Sequence, residues 1–320
     1  MMPFSSRSST RLRLATNPYL VVWVLLCATL VWSLPTIADI WRWAGFGVAF
    51  VTTLLVMEWN NRASLLRVRS RMTSSSFLFL LTLFPQLHSF GTPLLVMLGG
   101  LVTYMLLCHT YQANRPEGYV FHAFLLLSLG SFAYPPLVFL SVALWVYLIV
   151  FLRAFTVRTF FASVFGLLLP YVYAFGYVLW KGNVEDMLAV GLSHFVPQIP
   201  HYDHLPWWQV SAYAYVWLLA IPAIVHFLRD MAAEKRRTVM FFGMLIAQTL
   251  LLLLILPLQV QAFDMLFPLL LVSLSPLLAH QHALAKGRGT NIWFAVSIGL
   301  GLVLALCNYF NVWTLFSTFL

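Results

Sequence analysis

The chain has 320 residues, of which 62% are hydrophobic and only 8% charged, and its 18 Lys and Arg against 9 Asp and Glu leave a formal net charge of +9. A soluble domain carries about 25% charged residues, so a water-soluble globular protein is excluded and lipid must solvate much of the surface. A nucleic-acid binder is excluded too, because the basic residues are scattered over several short loops, as in the cytoplasmic loops of membrane proteins.

In chain order, Arg7, Arg11 and Arg13 precede the first apolar stretch. This resembles a secretory signal with a cleavage region at 35–38, but the apolar runs that follow predict an uncleaved first helix. Runs of about 17 to 20 apolar residues, long enough to cross hydrocarbon as helices, recur to the end of the chain. They place spans at 19–38, 43–59, 76–90, 92–108, 119–134, 136–152, 160–180, 210–227, 239–256, 262–279 and 292–308. A membrane barrel would need alternating strands, whereas 250–256 is solidly apolar. The expected fold is all-α: a polytopic transmembrane helix bundle of about eleven spans, one integral membrane domain over residues 1–320. The third and fifth spans are short. If the third and fourth form a re-entrant hairpin, the number of crossings falls towards nine, the lower end of the range read from these lengths, about 17 residues being the least that crosses.

The charges orient the bundle. With the N-terminus cytoplasmic, the inside segments hold Arg7, Arg11, Arg13, Arg62, Arg67, Arg69, Arg71, Arg115, Arg153, Arg158, Arg229, Lys235, Arg236, Arg237, Lys286 and Arg288. Of the 18 basic residues only Arg42 and Lys181 then lie outside, the asymmetry expected of cytoplasmic loops. Asp39, Glu185, Asp186, Asp203 and Asp264 fall on the outer side, and the C-terminus ends outside.

The longest outer segment, 181–209, joins the seventh and eighth spans. Asn183 is an N-cap residue type followed by Glu185 and Asp186, and Val184, Met187, Leu188, Leu192 and Phe195 repeat at helical spacing. This predicts an amphipathic helix on the outer membrane surface. Pro197, Pro200 and Pro206 make the remainder irregular, and Trp207 and Trp208 suit the water–lipid boundary.

Ion-coupled transporters place ionisable groups at the midplane. Here Glu58, His109, His122, His226 and His280 sit near cytoplasmic ends of spans, and Asp39, His88 and Asp264 near outer ends. Gln248 is the main polar residue deep in a span, and its structural reading is a helix–helix hydrogen bond. Pro85, Pro170, Pro222, Pro268 and Pro276 interrupt spans, which marks transport sites in some folds and simple kinks in others. On the outer face His194, His201, Asp203 and His204 form a cluster of residue types that hold transition metals, but no fixed spacing unites them and prolines intervene, so no metal or cofactor is expected. Asp39 on the first outer loop is a candidate catalytic carboxylate, joined by His201, Asp203 and His204; a capping aspartate beside Arg42 is the structural alternative. Arg67, Arg69 and Arg71 inside are candidates for anionic lipid or partner contact as well as topology signals. Cys27, Cys108 and Cys307 lie in apolar runs without ligand spacing and read as small buried residues.

The stretch 61–181 resembles a family of bacterial integral inner-membrane proteins defined only as a domain of unknown function. The residues that carry it are Phe84-Pro85, Tyr111 and Phe121, the segment Gly130-Ser131-Phe132-Ala133-Tyr134-Pro135-Pro136, Arg153-Ala154-Phe155-Thr156-Val157-Arg158, and Gly166-Leu167-Leu168-Leu169-Pro170-Tyr171. The family often carries a tryptophan after its second arginine, where this chain has Thr159-Phe160-Phe161. The resemblance implies a bacterial inner-membrane location and no particular activity. Arg153 and Arg158, five residues apart at a cytoplasmic turn, are a further candidate clamp for a phosphate or a partner carboxylate.

These readings favour a non-enzymatic scaffold or accessory subunit of a cell-envelope assembly, with the bilayer and protein partners as its contacts. The alternatives are an outer-face enzyme or flippase for a lipid-linked or glycan substrate, and a solute permease.

Overall fold

The computed structural model describes residues 10–34, 38–68, 70–182, 202, 205–285 and 287–313. Among them every regular element is helical. Twelve α-helices follow in chain order: α1 Thr10–Thr16, α2 Leu20–Ser33, α3 Ile40–Ala63, α4 Met72–Thr82, α5 Thr92–Thr110, α6 Glu117–Ser131, α7 Leu140–Val150, α8 Val157–Lys181, α9 Trp207–Asp230, α10 Arg236–Leu258, α11 Phe263–Leu284 and α12 Arg288–Tyr309. Among the described residues seven stretches are long and apolar enough to cross a membrane: Ile40–Ala63, Thr92–Thr110, Val157–Lys181, Trp207–Ala233, Arg236–Leu258, Val260–Leu284 and Gly289–Tyr309. The chain is thus a polytopic all-α membrane protein.

Four sequence-predicted spans fall on shorter helices, and prolines explain two of them. The 11 residues of α4 extend about 16 Å at a rise of about 1.5 Å each, roughly half of a hydrocarbon core. The predicted span 76–90 is therefore no continuous helix: α4 stops at Thr82, Phe84 leaves the helical region before Pro85 at φ −118° and ψ 84°, and one 3-10 turn, Pro85–Leu87, follows. Pro135 and Pro136 likewise start a 3-10 turn, Pro135–Phe139, and leave α7 only 11 residues.

Two compact units divide the chain. The first comprises Met1–Phe90, Leu205–Glu234 and Ser273–Leu320; the second comprises Gly91–His204 and Lys235–Val272. Helix α11 starts in the second and ends in the first.

In the first unit α4 lies against α2 and α3, and α12 against α9. The segment after α4 is pinned at several points. The His88 ring stacks on Trp32 with centroids 3.5 Å apart, Trp32 Nε1 donates to the His88 carbonyl at 3.3 Å, and the Phe90 amide donates to Trp41 O at 3.0 Å. Gly45 of α3 makes the close approach possible, since a Cβ there would lie 2.1 Å from the His88 carbonyl oxygen. Asn308 Nδ2 of α12 donates to Leu83 O at 3.2 Å, satisfying a carbonyl at the end of α4.

In the second unit α6 packs against both α5 and α8. Gly166 of α8 allows it: a Cβ there would lie 2.5 Å from Phe121 O. Polar side chains then join the helices. Ser128 Oγ donates to Leu167 O at 2.7 Å, Ser131 Oγ and Tyr171 OH share a bond of 2.6 Å, and Trp145 Nε1 donates to Ser163 Oγ at 2.9 Å. In hydrocarbon such bonds replace the absent hydrophobic drive between helices. A Thr156–Thr159 capping box opens α8 and Gly182, left-handed at φ 76°, closes it.

Candidate functional site

A cluster of ionisable side chains built around a buried carboxylate and a buried imidazole lies in the first unit. Helix α9 carries His226 and Asp230 four residues apart, hence on one face, with His226 Nε2 3.8 Å from Asp230 Oδ2. One 3-10 turn, Met231–Ala233, then breaks the helix and leaves Glu234 extended. The turn redirects Glu234 inward, so its carboxylate has no exposed surface.

Two partners meet that carboxylate at one oxygen. Arg67, from the non-helical stretch between α3 and α4, donates from Nε to Glu234 Oε1 at 2.6 Å. His280, near the end of α11 and fully buried, places Nε2 3.0 Å from the same oxygen. Glu234 Oε2 is buried without a hydrogen-bond partner. The His280 ring also meets Phe227 and His226 edge-on, with centroids 5.0 and 5.4 Å away. A carboxylate removed from water is tolerated only when paired. Here the pairing ties the α3–α4 connection, the end of α9 and the end of α11 to one point. Carboxylate–imidazole pairs also serve as acid–base dyads, but Glu234 and His280 have no exposed side-chain surface, so no substrate in water reaches them. The arrangement acts as a fastener.

The sequence-predicted residues are placed as follows. Asp39 is the N-cap of α3, accepting from the Trp41 amide at 3.0 Å, with Arg42 Nε 3.8 Å away. Arg67 is committed to Glu234, and Arg71 Nη1 lies 3.5 Å from Asn61 Oδ1. Arg153 and Arg158 are both exposed, Arg153 in a left-handed turn at φ 52°. Gln248 accepts from Tyr147 OH at 2.9 Å. Cys108 is buried, whereas Cys27 is exposed and Cys307 half-buried, so the expectation of three buried thiols holds only for Cys108. Among the described residues no three His, Cys, Asp or Glu side chains converge to hold a metal. Arg69, His194, His201, Asp203 and His204 lie outside the described residues, as does most of the segment 181–209. Tyr202, within that segment, donates from its hydroxyl to Pro257 O at 2.9 Å.

The Glu234 cluster was not legible as a site. Sequence reading placed His226 and His280 singly at span ends and assigned Glu234 no role. The one available signal was the four-residue repeat His226, Asp230, Glu234 running off the end of a span.

No family model matches the chain, and comparison with curated proteins and with solved structures gave no match either.

Proposed function

We propose that this chain is a non-enzymatic component of the bacterial inner membrane, a scaffold or accessory subunit of a cell-envelope assembly. In this reading the N-terminus is cytoplasmic, the shorter helices complete about eleven spans, and the C-terminus lies outside, as the arginine and lysine distribution supports. The Arg67–Glu234–His280 cluster carries the reading. It joins three separate chain segments at a carboxylate that has no exposed surface, the behaviour of a structural fastener and not of a catalytic dyad. Helix α8 adds support. It buries Thr159, Ser163, Gly166 and Pro170 along one side, while Phe161, Phe165, Tyr173, Tyr177 and Trp180 stand exposed. In a bilayer that aromatic side meets lipid or a partner's helices. The cytoplasmic turn before α8, with Arg153 and Arg158 exposed, is the site we assign to anionic lipid head groups or a partner carboxylate.

Native-gel and mass analysis after mild solubilisation tests this. A complex holding the 36.5 kDa chain and a second protein in fixed ratio is expected, and it should survive Asp39→Ala, because Asp39 acts as a helix cap. A chain that runs alone at every detergent strength, or an outer-face activity abolished by Asp39→Ala, would overturn it.

A further inference from the structure

Three stretches of chain meet at one end of the second unit. Tyr111, just after α5, sets its ring edge-on against Phe241 of α10, with centroids 5.8 Å apart. Phe151, just after α7, lies against Gly243 of α10, where a Cβ would fall 2.7 Å from its ring. The α5–α6 and α7–α8 connections are thereby gathered beside the start of α10. Here stand Arg115, Arg153, Arg158, Lys235, Arg236 and Arg237, all exposed. Glu117 is the one carboxylate in the stretches 111–117, 151–158 and 235–237.

Among the described residues no carboxylate pairs with any of the six cations. In the first unit, by contrast, Arg62 pairs with Glu58 at 2.5 Å and Arg67 with Glu234 at 2.6 Å. Inside-positive topology accounts for which end of a span a cation occupies; it does not require the cation to stay bare. Two helix starts sharpen the demand. Arg158 lies in the first turn of α8, Arg236 and Arg237 in that of α10, and neither turn holds an acidic residue. The N-terminal end of a helix is itself positive, so these three side chains stand where an anion is favoured.

The surroundings select the anion. Phe155, Val157 and Phe160, interleaved with Arg153 and Arg158, are 40%, 73% and 37% exposed. An acidic protein segment in water would satisfy the arginines and leave these apolar side chains wet. A phospholipid meets both: its phosphate accepts from guanidinium groups, and its acyl region lies against the apolar residues beside them.

We propose that this end of the second unit binds the head groups of anionic phospholipids, with Arg115, Arg153, Arg158 and the run Lys235 to Arg237 as donors to phosphate. This names the ligand of the turn that carries Arg153 and Arg158 and rests on the assignment made for it above; it holds whether or not the chain is an assembly subunit.

The full chain, purified in detergent without any partner, can be titrated with dioleoyl phosphatidylglycerol and dioleoyl phosphatidylcholine, which share acyl chains and differ in head-group charge, and bound lipid counted by native mass spectrometry. Saturable phosphatidylglycerol binding that weakens as salt is raised is expected, with no saturable phosphatidylcholine. Arg158→Gln combined with Arg236→Gln should weaken binding about 25-fold, at about fivefold for each cation lost beside an anionic head group. Each change removes a cation from a helix N-terminus, so the variant should unfold at no lower a temperature. Arg62→Gln makes the same charge change at a paired arginine of the first unit and should leave binding unchanged. An excess of a polyglutamate peptide should not displace the lipid. Equal binding of the two lipids, full binding by the folded double variant, an equal loss from Arg62→Gln, or displacement by the peptide would each overturn the proposal.

Discussion

Arg67 Nε and Glu234 Oε1 lie 2.6 Å apart although 167 positions separate them in the chain. Arg67 is partly exposed, whereas the Glu234 side chain is wholly buried, so the two ends of this pair differ in what their loss does. Removing the cation strands a buried charge; removing both removes the demand as well.

Arg67→Met should therefore destabilise the chain by about 3 kcal/mol, the lower part of the range for breaking a buried pair. Arg67→Met combined with Glu234→Leu should recover most of that loss. Thermal unfolding of the purified variants in one detergent, arranged as a double-mutant cycle, measures the coupling. Additive effects at the two positions would show that the pair holds nothing together.

At Gly45 the packing leaves no room. A Cβ would fall 2.1 Å from the carbonyl oxygen of His88, and backbone on both sides resists movement. Gly45→Ala is expected to lower stability by about 1 to 3 kcal/mol, as overpacking does, despite alanine's better helix propensity. Gly47, two residues on, has nothing within 4 Å of a Cβ, so Gly47→Ala should be neutral or mildly stabilising. Comparing the two unfolding temperatures separates packing from propensity.

Tyr171→Phe removes the hydroxyl that bridges α8 to Ser131 of α6. Bonds of this kind between membrane helices contribute about 0.6 kcal/mol, up to about 1.7, so a loss in that range is expected by the same assay. The oligomeric state should not change, because Ser131 keeps its bond to the Ser128 carbonyl at 2.6 Å.

Orientation is tested by labelling. In a background with Cys27, Cys108 and Cys307 replaced by alanine, a cysteine at Arg69 should resist a membrane-impermeant thiol reagent in intact cells, and one at Val190 should react. The reverse pattern would invert the proposed topology.

How much of this was readable beforehand differs by element. The long apolar helices were legible because lipid demands about 20 consecutive apolar residues with every backbone group bonded internally. Helix α10 and the body of α3 match their predicted spans to within a few residues at most ends, although α3 runs further at both. The interruption after Thr82 was announced by Phe84-Pro85 but masked by the apolar residues around it, since hydropathy does not register a missing N–H. The cap at Asp39 was one of two readings, and the geometry at Trp41 N assigns that role to its carboxylate.

Composition alone determined the solvent: so few charges over so many apolar residues can fold only in lipid. Unbroken apolar runs in place of alternation then selected helices over a barrel, the two forms that pair all their backbone there. Tertiary structure alone decided where the polar side chains go. The meeting of Arg67, Glu234 and His280, and the bare amide of Gln248, depend on contacts between residues far apart in the chain. Periodicity reports which residues avoid water. It carries no information about which buried donor finds an acceptor and which is left without one.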